Sequence, residues 1–317
     1  MPYSFRPAPS VGYTTPMATD TEIKTNRPAD SGATTPEPAP AERKPVTLRT
    51  LHRMRERGQK FACLTCYDAT TARWLERAGV PVLLIGDTAA EVILGYPSTI
   101  HAPLDFLIQL TAAVKRGAPR TFVMGDMPFM SYQAEEAVAI RNAGRFMTEG
   151  TADAVKLEVD RHHAPLIEKI SRAGIPVVAH IGSRPQHAKR HGGYASAGKT
   201  LPEAKEMLAD AAAAQEAGAS ILLVEACPSE VSAKIVEKSR VPVIGCGAGE
   251  ACDGQIVVTQ DLFGLTDWQP AFARPIAGMG DAIVKAAERW IDMVRQSDFG
   301  EHPYRMKENE AAGLDRL

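Results

Sequence analysis

The sequence predicts an α/β protein that folds as a single (β/α)8 barrel, the TIM-barrel architecture. Short apolar runs alternate with helical stretches and begin roughly 20 to 45 residues apart, which is the spacing of a strand and its crossover helix. Three of the helical stretches end in glycine just before the next run, where a helix C-cap belongs. Seven runs cover residues 61–65, 82–85, 121–124, 154–157, 176–179, 221–224 and 241–244.

An eighth strand, expected within residues 256–263, would complete the ring. The run at Val82–Ile85 shows why these strands are expected to be buried on both faces, since it contains four consecutive aliphatic residues. An open doubly wound sheet is the alternative, and about 270 structured residues suit the barrel better. The last helix is expected near residues 281–294.

The chain is expected to have three regions. Residues 1–44 are rich in Pro, Thr and Ala without hydrophobic periodicity, which predicts a disordered extension. Four acidic residues in this stretch argue against a transit peptide, because such peptides are poor in acid. The catalytic barrel is expected at residues 45–297, and a charged C-terminal tail at residues 298–317.

The composition limits the kinds of partner that this protein is expected to bind. The net charge is -2, with 44% hydrophobic and 23% charged residues, so there is no basic footprint for nucleic acid. No apolar run approaches the ~20 residues that cross a bilayer, so no membrane association is expected. Five cysteines do not form a disulfide framework in 317 residues, which indicates a reducing cytoplasm. Cys63 and Cys66 lie inside an apolar run, and core packing is favoured over a redox pair.

Polar residues collect where the apolar runs end. Since the carboxyl ends of barrel strands converge on one mouth, residues far apart in sequence become neighbours there. One of these ends, Asp87-Thr88, could also be a simple helix cap, and the recurrence of the pattern favours a site. The polar residues at the strand ends are Asp87, Thr88, Asp126, Lys156, Glu158, His180 and Glu225.

Lys156 and Glu158 give the most specific indication of a functional site. Side chains alternate across a strand, so these two share one face while Leu157 takes the other. In a barrel covered by helices the two charges would point into the lumen, where burial without partners costs several kcal/mol each. They are therefore expected to be paired, metal-bound or catalytic. An amphipathic strand with one solvated face is the alternative.

The three carboxylates Asp87, Asp126 and Glu158 would repel one another without a cation. Oxygen ligands without paired Cys or His favour Mg²⁺, with Mn²⁺ as a close substitute. Lys156 could then hold a substrate carboxylate or a developing enolate oxygen. Glu225 and His180 are left as proton-transfer groups. The residues alone predict a metal-assisted reaction at the carbon next to a carbonyl.

Several motifs, in this order, closely resemble the ketopantoate hydroxymethyltransferase family of the phosphoenolpyruvate mutase and isocitrate lyase superfamily. The resemblance covers about residues 46–295, and the motifs are specific as a set. They are Leu64-Thr65-Cys66-Tyr67-Asp68, Gly86-Asp87-Thr88, residues 111–118, Asp126-Met127-Pro128-Phe129, Val155-Lys156-Leu157-Glu158, Pro185-Gln186, Gly192-Gly193-Tyr194, residues 244–249 and Asp253-Gly254-Gln255.

The resemblance implies a TIM barrel, usually a decamer, that acts early in pantothenate synthesis. The implied reaction transfers a one-carbon unit from 5,10-methylenetetrahydrofolate to 3-methyl-2-oxobutanoate and gives 2-dehydropantoate. Carried over, the resemblance implies that Asp87, Asp126 and Glu158 form the Mg²⁺ site, with Glu158 acting through water. It also implies that Thr88 and Lys156 bind the oxo acid, that Glu225 is the general base, and that His180 lies near the substrate.

Some positions depart from the family's usual pattern and leave the oxo acid and the one-carbon donor open. A divergent metal-dependent aldolase or lyase acting on another 2-oxo acid is therefore the runner-up. A non-catalytic binding protein on the same barrel is a third reading, which would predict the loss of metal or base residues. The departures are Thr88 for serine, Ala89-Ala90-Glu91 for a small uncharged segment, Val159-Asp160 for glycines, Ser183-Arg184 for Leu-Thr, and the basic run at residues 188–191.

Residues 193–200 formally match the phosphate-binding pattern G-x-x-x-x-G-K-S/T. A functional P-loop follows a strand directly, whereas more than about ten residues separate this stretch from the preceding run. Thr200, with Glu203 three residues later, is read more simply as a helix capping box. Nucleotide hydrolysis is therefore not favoured.

Overall fold

The structure is a computed structural model that describes residues 43–308 and 310–316. The predicted disordered extension, residues 1–44, lies almost entirely outside these residues. The expected limits of the barrel domain and of the tail stay predictions.

Eight parallel strands form a closed barrel, which confirms the predicted fold class. The strands pair in sequence order from β1 to β8, and β8 returns to β1. The closed ring rules out the open doubly wound sheet. The strands are β1 (Phe61–Thr65), β2 (Val82–Ile85), β3 (Phe122–Asp126), β4 (Ala154–Glu158), β5 (Val177–Gly182), β6 (Ile221–Glu225), β7 (Val243–Cys246) and β8 (Gly254–Val257).

Helices connect the strands, and 3-10 turns lie between some of them. Within the described residues the α-helices are α1 (Leu48–Glu56), α2 (Ala69–Arg77), α3 (Ala89–Val92), α4 (Leu104–Gly117), α5 (Glu136–Thr148), α6 (Ala164–Arg172), α7 (Ala188–His191), α8 (Leu201–Glu216), α9 (Ser229–Lys238), α10 (Thr259–Leu262) and α11 (Met279–Gln296). The expected last helix is thus confirmed as α11.

Local sequence explains where several helices begin and end. The side chain of Thr47 caps α1, that of Asp68 caps α2, and Thr200 with Glu203 forms a complete capping box on α8. The capping interpretation of Thr200 is therefore confirmed. Three helices end before a glycine in the left-handed region, where a side chain would be strained; these are Gly79, Gly174 and Gly218.

The side chains that point into the barrel form two layers, an apolar core and, nearer the carboxyl ends of the strands, a polar layer. The apolar core contains one member of each alternating pair, and Leu51 of α1 packs into the same cluster. Its strand residues are Phe61, Cys63, Val82, Leu84, Phe122, Met124, Ala154, Val178, Ile221, Leu223, Ile244 and Ile256. Two positions further along β3, β4, β5 and β6, this series reaches the polar residues Asp126, Lys156, His180 and Glu225, which belong to the site described below. Cys63 and Cys66 are buried and free, as expected for core residues.

The last strand closes the barrel against the first. Phe61 is in register with Gly254, and a Cβ at Gly254 would lie 2.4 Å from the Phe61 ring, so only glycine fits. Thr259 then donates its backbone N–H to Oγ1 of Thr65 at 3.0 Å. The expected eighth strand was placed too late, because its apolar residues end at Val258 and α10 begins at Thr259.

The chain divides into two compact units, one ending at Thr259 and the other running from Gln260 to the C-terminus. The first contains the eight strands and α1 to α9, and the second contains α11. None of the helices among the described residues has the length and apolar character needed to cross a membrane.

Candidate active site

The predicted site residues come together at the carboxyl ends of adjacent strands. Register places Asp126 beside Lys156, Glu158 beside His180, and Gly182 beside Glu225. The inward-facing series of β4 runs from apolar Ala154 to Lys156 and Glu158. All three residues of that series are buried, so the amphipathic strand with one solvated face is ruled out.

Lys156 and Asp126 form a buried ion pair. Lys156 Nζ lies 2.8 Å from Asp126 Oδ1, and both side chains are at least 95% buried. Asp126 Oδ2 accepts the backbone N–H of Asp87 at 2.9 Å, which links the ends of β2 and β3. Burial would lower the pKa of Lys156, but the carboxylates of Asp126, Asp87 and Glu158 outweigh it and raise that pKa. The ammonium is therefore charged at neutral pH.

Asp87 and Glu158 share a partner that sequence reasoning did not single out, Gln186. Its Nε2 donates to Asp87 Oδ2 at 2.9 Å, and its backbone N–H donates to Glu158 Oε2 at 3.1 Å. Gln186 was noted only as part of a family motif, with no role assigned to it. The signal that could have found it is its position on the short 3-10 helix just after β5, a strand end that faces the other carboxylates.

Tyr132 is a second residue that the sequence did not single out. Its Oη accepts the backbone N–H of Glu158 at 3.1 Å, and it lies 3.0 Å from Gln186 Oε1. The ring is buried, and its hydroxyl links the end of β4 to Gln186. No periodic pattern marks Tyr132, because it lies in the irregular segment after β3.

His180 connects the buried lysine to the proposed base. Its Nδ1 lies 3.4 Å from Lys156 Nζ, and its Nε2 lies 3.3 Å from Glu225 Oε2. Burial lowers the pKa of His180, and the charge of Lys156 lowers it further. The imidazole is therefore neutral, and these partners assign the proton to Nε2, because an ammonium can only donate to Nδ1.

Thr88 follows Asp87 at the start of α3, and neither residue acts as a side-chain cap. The helix has no side-chain capping bond, and the carboxylate of Asp87 is directed to Gln186 instead. Thr88 therefore stands at the N-cap position, as the helix-cap alternative predicts, but its side chain makes no capping bond. Glu91, on α3, is buried and accepts a hydrogen bond from Tyr194 Oη at 3.0 Å.

The site buries more carboxyl groups than ammonium groups. Three buried carboxylates, Asp87, Asp126 and Glu158, face one buried ammonium. Burial raises the pKa of Asp126 to about 8, and the charge of Asp87 adds to the rise while Lys156 opposes it. Burial likewise raises the pKa of Glu158. Among the described residues, no three or more His, Cys, Asp and Glu side chains are already grouped as metal ligands.

Several solved structures share the fold of this barrel. The chain superposes on 2,3-dimethylmalate lyase, a PEP mutase/isocitrate lyase superfamily member, with a TM-score of 0.53 and 18% identity, covering 86% of this chain and 93% of that one. It superposes on a phosphonopyruvate hydrolase complex with oxalate and Mg²⁺ with a TM-score of 0.54 and 13% identity, covering 85% and 96%. These likenesses show the fold of that superfamily.

Sequence comparison gives the family. A family model described as ketopantoate hydroxymethyltransferase matches residues 45–302. The 3-methyl-2-oxobutanoate hydroxymethyltransferase of Moorella thermoacetica is 41% identical over 268 residues, 84% of this chain and 100% of the relative. The enzyme of that name from Hyperthermus butylicus is 43% identical over 279 residues, 87% and 96%. The chain belongs to the ketopantoate hydroxymethyltransferase family, and the predicted resemblance is confirmed.

Proposed function

We propose that this protein transfers a one-carbon unit from 5,10-methylenetetrahydrofolate to 3-methyl-2-oxobutanoate and forms 2-dehydropantoate for pantothenate synthesis. One observation carries the proposal beyond family membership: Lys156, His180 and Glu225 form a connected chain at the mouth of the barrel. Such a chain suits removal of a proton next to a carbonyl. The proposed metal ligands and the proposed base are all present, which argues against a non-catalytic binding protein.

The buried charge supports a divalent cation at the mouth. When all three are ionised, Asp87, Asp126 and Glu158 exceed the charge of Lys156 by two, which a single Mg²⁺ or Mn²⁺ would balance. Their oxygens are the hard donors that these ions prefer. We propose that these three residues hold the ion, Glu158 through water. When bound, the ion would supply Lewis-acid polarisation of the 2-oxo group.

The chain's own residues bind and orient the oxo acid. Lys156 is charged and buried, so its ammonium can hold the substrate carboxylate or the oxygen that becomes an enolate. Thr88 adds a hydroxyl beside Asp87, at the end of β2, where we propose that it contacts the same substrate. Burial of Lys156 excludes water and strengthens its electrostatic interaction with the substrate.

Glu225 is the proposed general base. Unlike the three carboxylates deeper in the barrel, it is partly exposed, so an incoming substrate can reach it. Neutral His180 places its Nε2 3.3 Å from Oε2, within reach of the carboxylate. The C3 proton of the oxo acid passes to Glu225, and the electron pair of that C–H bond becomes the enolate.

The new carbon–carbon bond joins C3 to the methylene carbon of the folate. Tetrahydrofolate leaves, and one water molecule consumed in the overall reaction supplies the oxygen of the new hydroxyl. A divergent aldolase or lyase would share the proton removal but would not need the folate.

Isotope exchange tests the function and separates it from the runner-up. The purified protein with Mg²⁺ should exchange the C3 proton of 3-methyl-2-oxobutanoate into D₂O, read by NMR, and should form 2-dehydropantoate when methylenetetrahydrofolate is added. Exchange without folate-dependent product would favour the aldolase or lyase. No exchange with any 2-oxo acid in a panel would contradict both.

The homo-oligomer, a decamer by resemblance, stays a prediction, as does a cytoplasmic location. The expected lack of a nucleic-acid partner also stays a prediction.

A further inference from the structure

Residues 192–198, which we call the strap, join opposite sides of the barrel mouth. The strap follows α7 and precedes α8. At one side, Tyr194 Oη donates to Glu91 Oε1 at 3.0 Å, and Glu91 lies on α3, the helix after β2. At the other side, Ala197 donates its backbone N–H at 3.0 Å to the carbonyl of Ala226, just after β6. In a closed ring of eight strands β2 and β6 are diametrically opposite, so the strap crosses the mouth between them.

Both attachment points adjoin residues of the proposed site. Glu91 donates its backbone N–H to the carbonyl of Thr88 at 2.9 Å, one turn back along α3. Ala226 directly follows Glu225, the proposed base. Between its two attached residues the strap advances only three residues, which span at most about 11 Å when extended. The strap therefore limits how far the Thr88 side and the Glu225 side of the mouth can separate.

The backbone beside the proposed base is held in an uncommon conformation. Ala226 has a φ of 46°, in the left-handed region that residues with a side chain seldom adopt. Its N–H donates to the carbonyl of Cys246 at 2.9 Å, and its carbonyl accepts the N–H of Ala197. The second of these bonds comes from the strap. Release of the strap would therefore remove one of the restraints on the residue next to Glu225.

Little packing holds the strap in place. Residues 192–196 are exposed, and a cavity of about 340 Å³ lies between the strap and α8. The strap leaves α7 through Gly192 and Gly193, which both have positive φ, and no described residue beyond their chain neighbours lies within 4 Å of a Cβ at either. Segments with few buried contacts open at low cost in free energy, so the strap depends on its hydrogen bonds.

The bond between Tyr194 and Glu91 is the stronger of the two attachments. A hydrogen bond to a carboxylate is roughly twice as strong as one between neutral groups, and Glu91 is buried. Glu91 stands where the family's usual pattern has a small uncharged segment. The acceptor is therefore a feature of this chain, and none of the proposed catalytic steps uses it.

We propose that Tyr194 and Glu91 form a latch that holds the strap closed across the mouth, and that the closed strap positions Glu225 against the bound oxo acid. Tyr194 and Glu91 are positioning residues in this proposal, because they act through the strap and Glu225. The latch itself is independent of the reaction. Its effect on Glu225 rests on the proposed function.

Limited trypsin cleavage of the full chain measures opening of the strap. Arg190 and Lys199 are exposed and flank the strap, so cleavage after either residue, read by mass spectrometry, reports its release. Tyr194→Phe removes the donor and keeps the ring. Cleavage should become at least about tenfold faster, as expected for loss of a hydrogen bond to a charged group when the strap closes faster than trypsin cuts. Tyr96→Phe, at a similarly exposed tyrosine that keeps its stack on His101, should leave the rate within about twofold of wild type.

Variants of Glu91 test the acceptor. Glu91→Gln keeps an oxygen that can accept from Tyr194, so it should accelerate cleavage less than Glu91→Leu, which keeps none. Combining Glu91→Leu with Tyr194→Phe should add little to the faster single variant, because both changes remove the same bond. Unchanged cleavage in Tyr194→Phe and Glu91→Leu, or fully additive effects of the two, would overturn the latch.

Proton exchange tests the positioning role. At saturating 3-methyl-2-oxobutanoate, Tyr194→Phe should lower the kcat for C3 exchange roughly tenfold, since a displaced reacting group costs up to about 10²-fold. The KM and the Kd for Mg²⁺ should stay within about twofold of wild type, because the strap carries none of the residues proposed to bind either ligand. General damage to the barrel would raise the KM and the Kd together, and that result would overturn the positioning role.

The two measurements separate the latch from the function. If cleavage accelerates in Tyr194→Phe while the kcat for exchange is unchanged, the latch stands and its role in positioning Glu225 is wrong. If the wild type exchanges no proton from any 2-oxo acid, the proposed function fails together with the positioning role, and the cleavage rates still decide the latch.

Discussion

His180 Nε2 lies 3.3 Å from Glu225 Oε2, while Nδ1 of the same ring lies 3.4 Å from Lys156 Nζ. One neutral imidazole therefore spans the distance between a buried cation and a partly exposed carboxylate. The lysine can donate only to Nδ1, so the ring proton is on Nε2, the atom that faces the carboxylate. This arrangement places a neutral N–H, and not a second charge, beside Glu225.

Glu225→Gln should remove the base and keep the shape of the site. We expect the rate of C3 proton exchange to fall by about 10²- to 10⁴-fold, the usual contribution of a positioned base. Calorimetric titration with Mg²⁺ should give an unchanged Kd, because Glu225 is not among the proposed ligands. Persistent exchange in this variant would show that another group removes the proton.

The Lys156–Asp126 pair should be strongly coupled. Lys156→Met leaves buried carboxylates without their cation and should lower the free energy of unfolding by about 3–5 kcal/mol. Adding Asp126→Asn should recover part of that loss, since one of the uncompensated charges is then removed. Urea unfolding of the two single variants and the double variant measures the coupling. Strictly additive losses would mean that the two side chains do not interact.

Gln186 should matter for activity although it is not expected to touch the reacting atoms. Gln186→Leu removes the Nε2 bond to Asp87 but keeps the backbone bond to Glu158. We expect a 10- to 100-fold loss of Mg²⁺ affinity or of activity, as for other partners that orient metal ligands. Gln133→Leu is the control, because Gln133 contacts only Oε1 of Gln186 among these groups. Equal effects of the two changes would contradict a specific role for Nε2.

Stability should respond to acid through Asp160. Partial burial would raise the pKa of Asp160, but hydrogen bonds from Arg184 and His163 outweigh it and hold the pKa well below its ordinary value. The stabilisation is therefore present above the unfolded pKa of about 4 and is lost as the pH falls through the lower folded value. Asp160→Asn, which can still cap the following turn, should cost about 1 kcal/mol at pH 7. Urea unfolding at pH 3 should show a smaller gap, and a constant gap would contradict the charge effect.

Two helical glycines should respond in opposite ways to alanine. A Cβ at Gly117, the last residue of α4, would lie 2.3 Å from the carbonyl oxygen of Ala69 at the start of α2. Gly117→Ala should therefore destabilise the protein by about 1–3 kcal/mol, the usual cost of overpacking. At Gly144, within α5, no atom lies within 4 Å of such a Cβ, and Gly144→Ala should stabilise by about 0.5–1 kcal/mol. Thermal unfolding compares the two.

The strand positions and the site residues on β4, β5 and β6 could be predicted because both follow from alternation. Once Ala154 faces the core, Lys156 and Glu158 must face the same way two and four residues later. The same step leads from Val178 to His180 and from Leu223 to Glu225. Parallel pairing then brings these residues to one end of the barrel.

The partners of those carboxylates could not be predicted in this way. Tyr132 lies in an irregular segment and Gln186 on a single 3-10 turn, and neither is long enough for a period to relate sequence position to direction. The eighth strand was placed late for a related reason, because a short apolar run does not show where a strand ends and a helix begins. The bond between Glu91 and Tyr194 spans 103 residues and depends on the folded path of the segment that follows α7.

Closure of β8 onto β1 has a consequence for how the protein is made. Phe61 and Gly254 are in register, so nearly two hundred further residues must be synthesised before β1 can pair with β8. When only seven strands of the nascent chain have left the ribosome, the backbone along one edge of β1 and one edge of β7 is unpaired. Folding during translation must therefore protect two open edges until residue 257 leaves the ribosome, and this interval is when we expect the protein to depend most on chaperones.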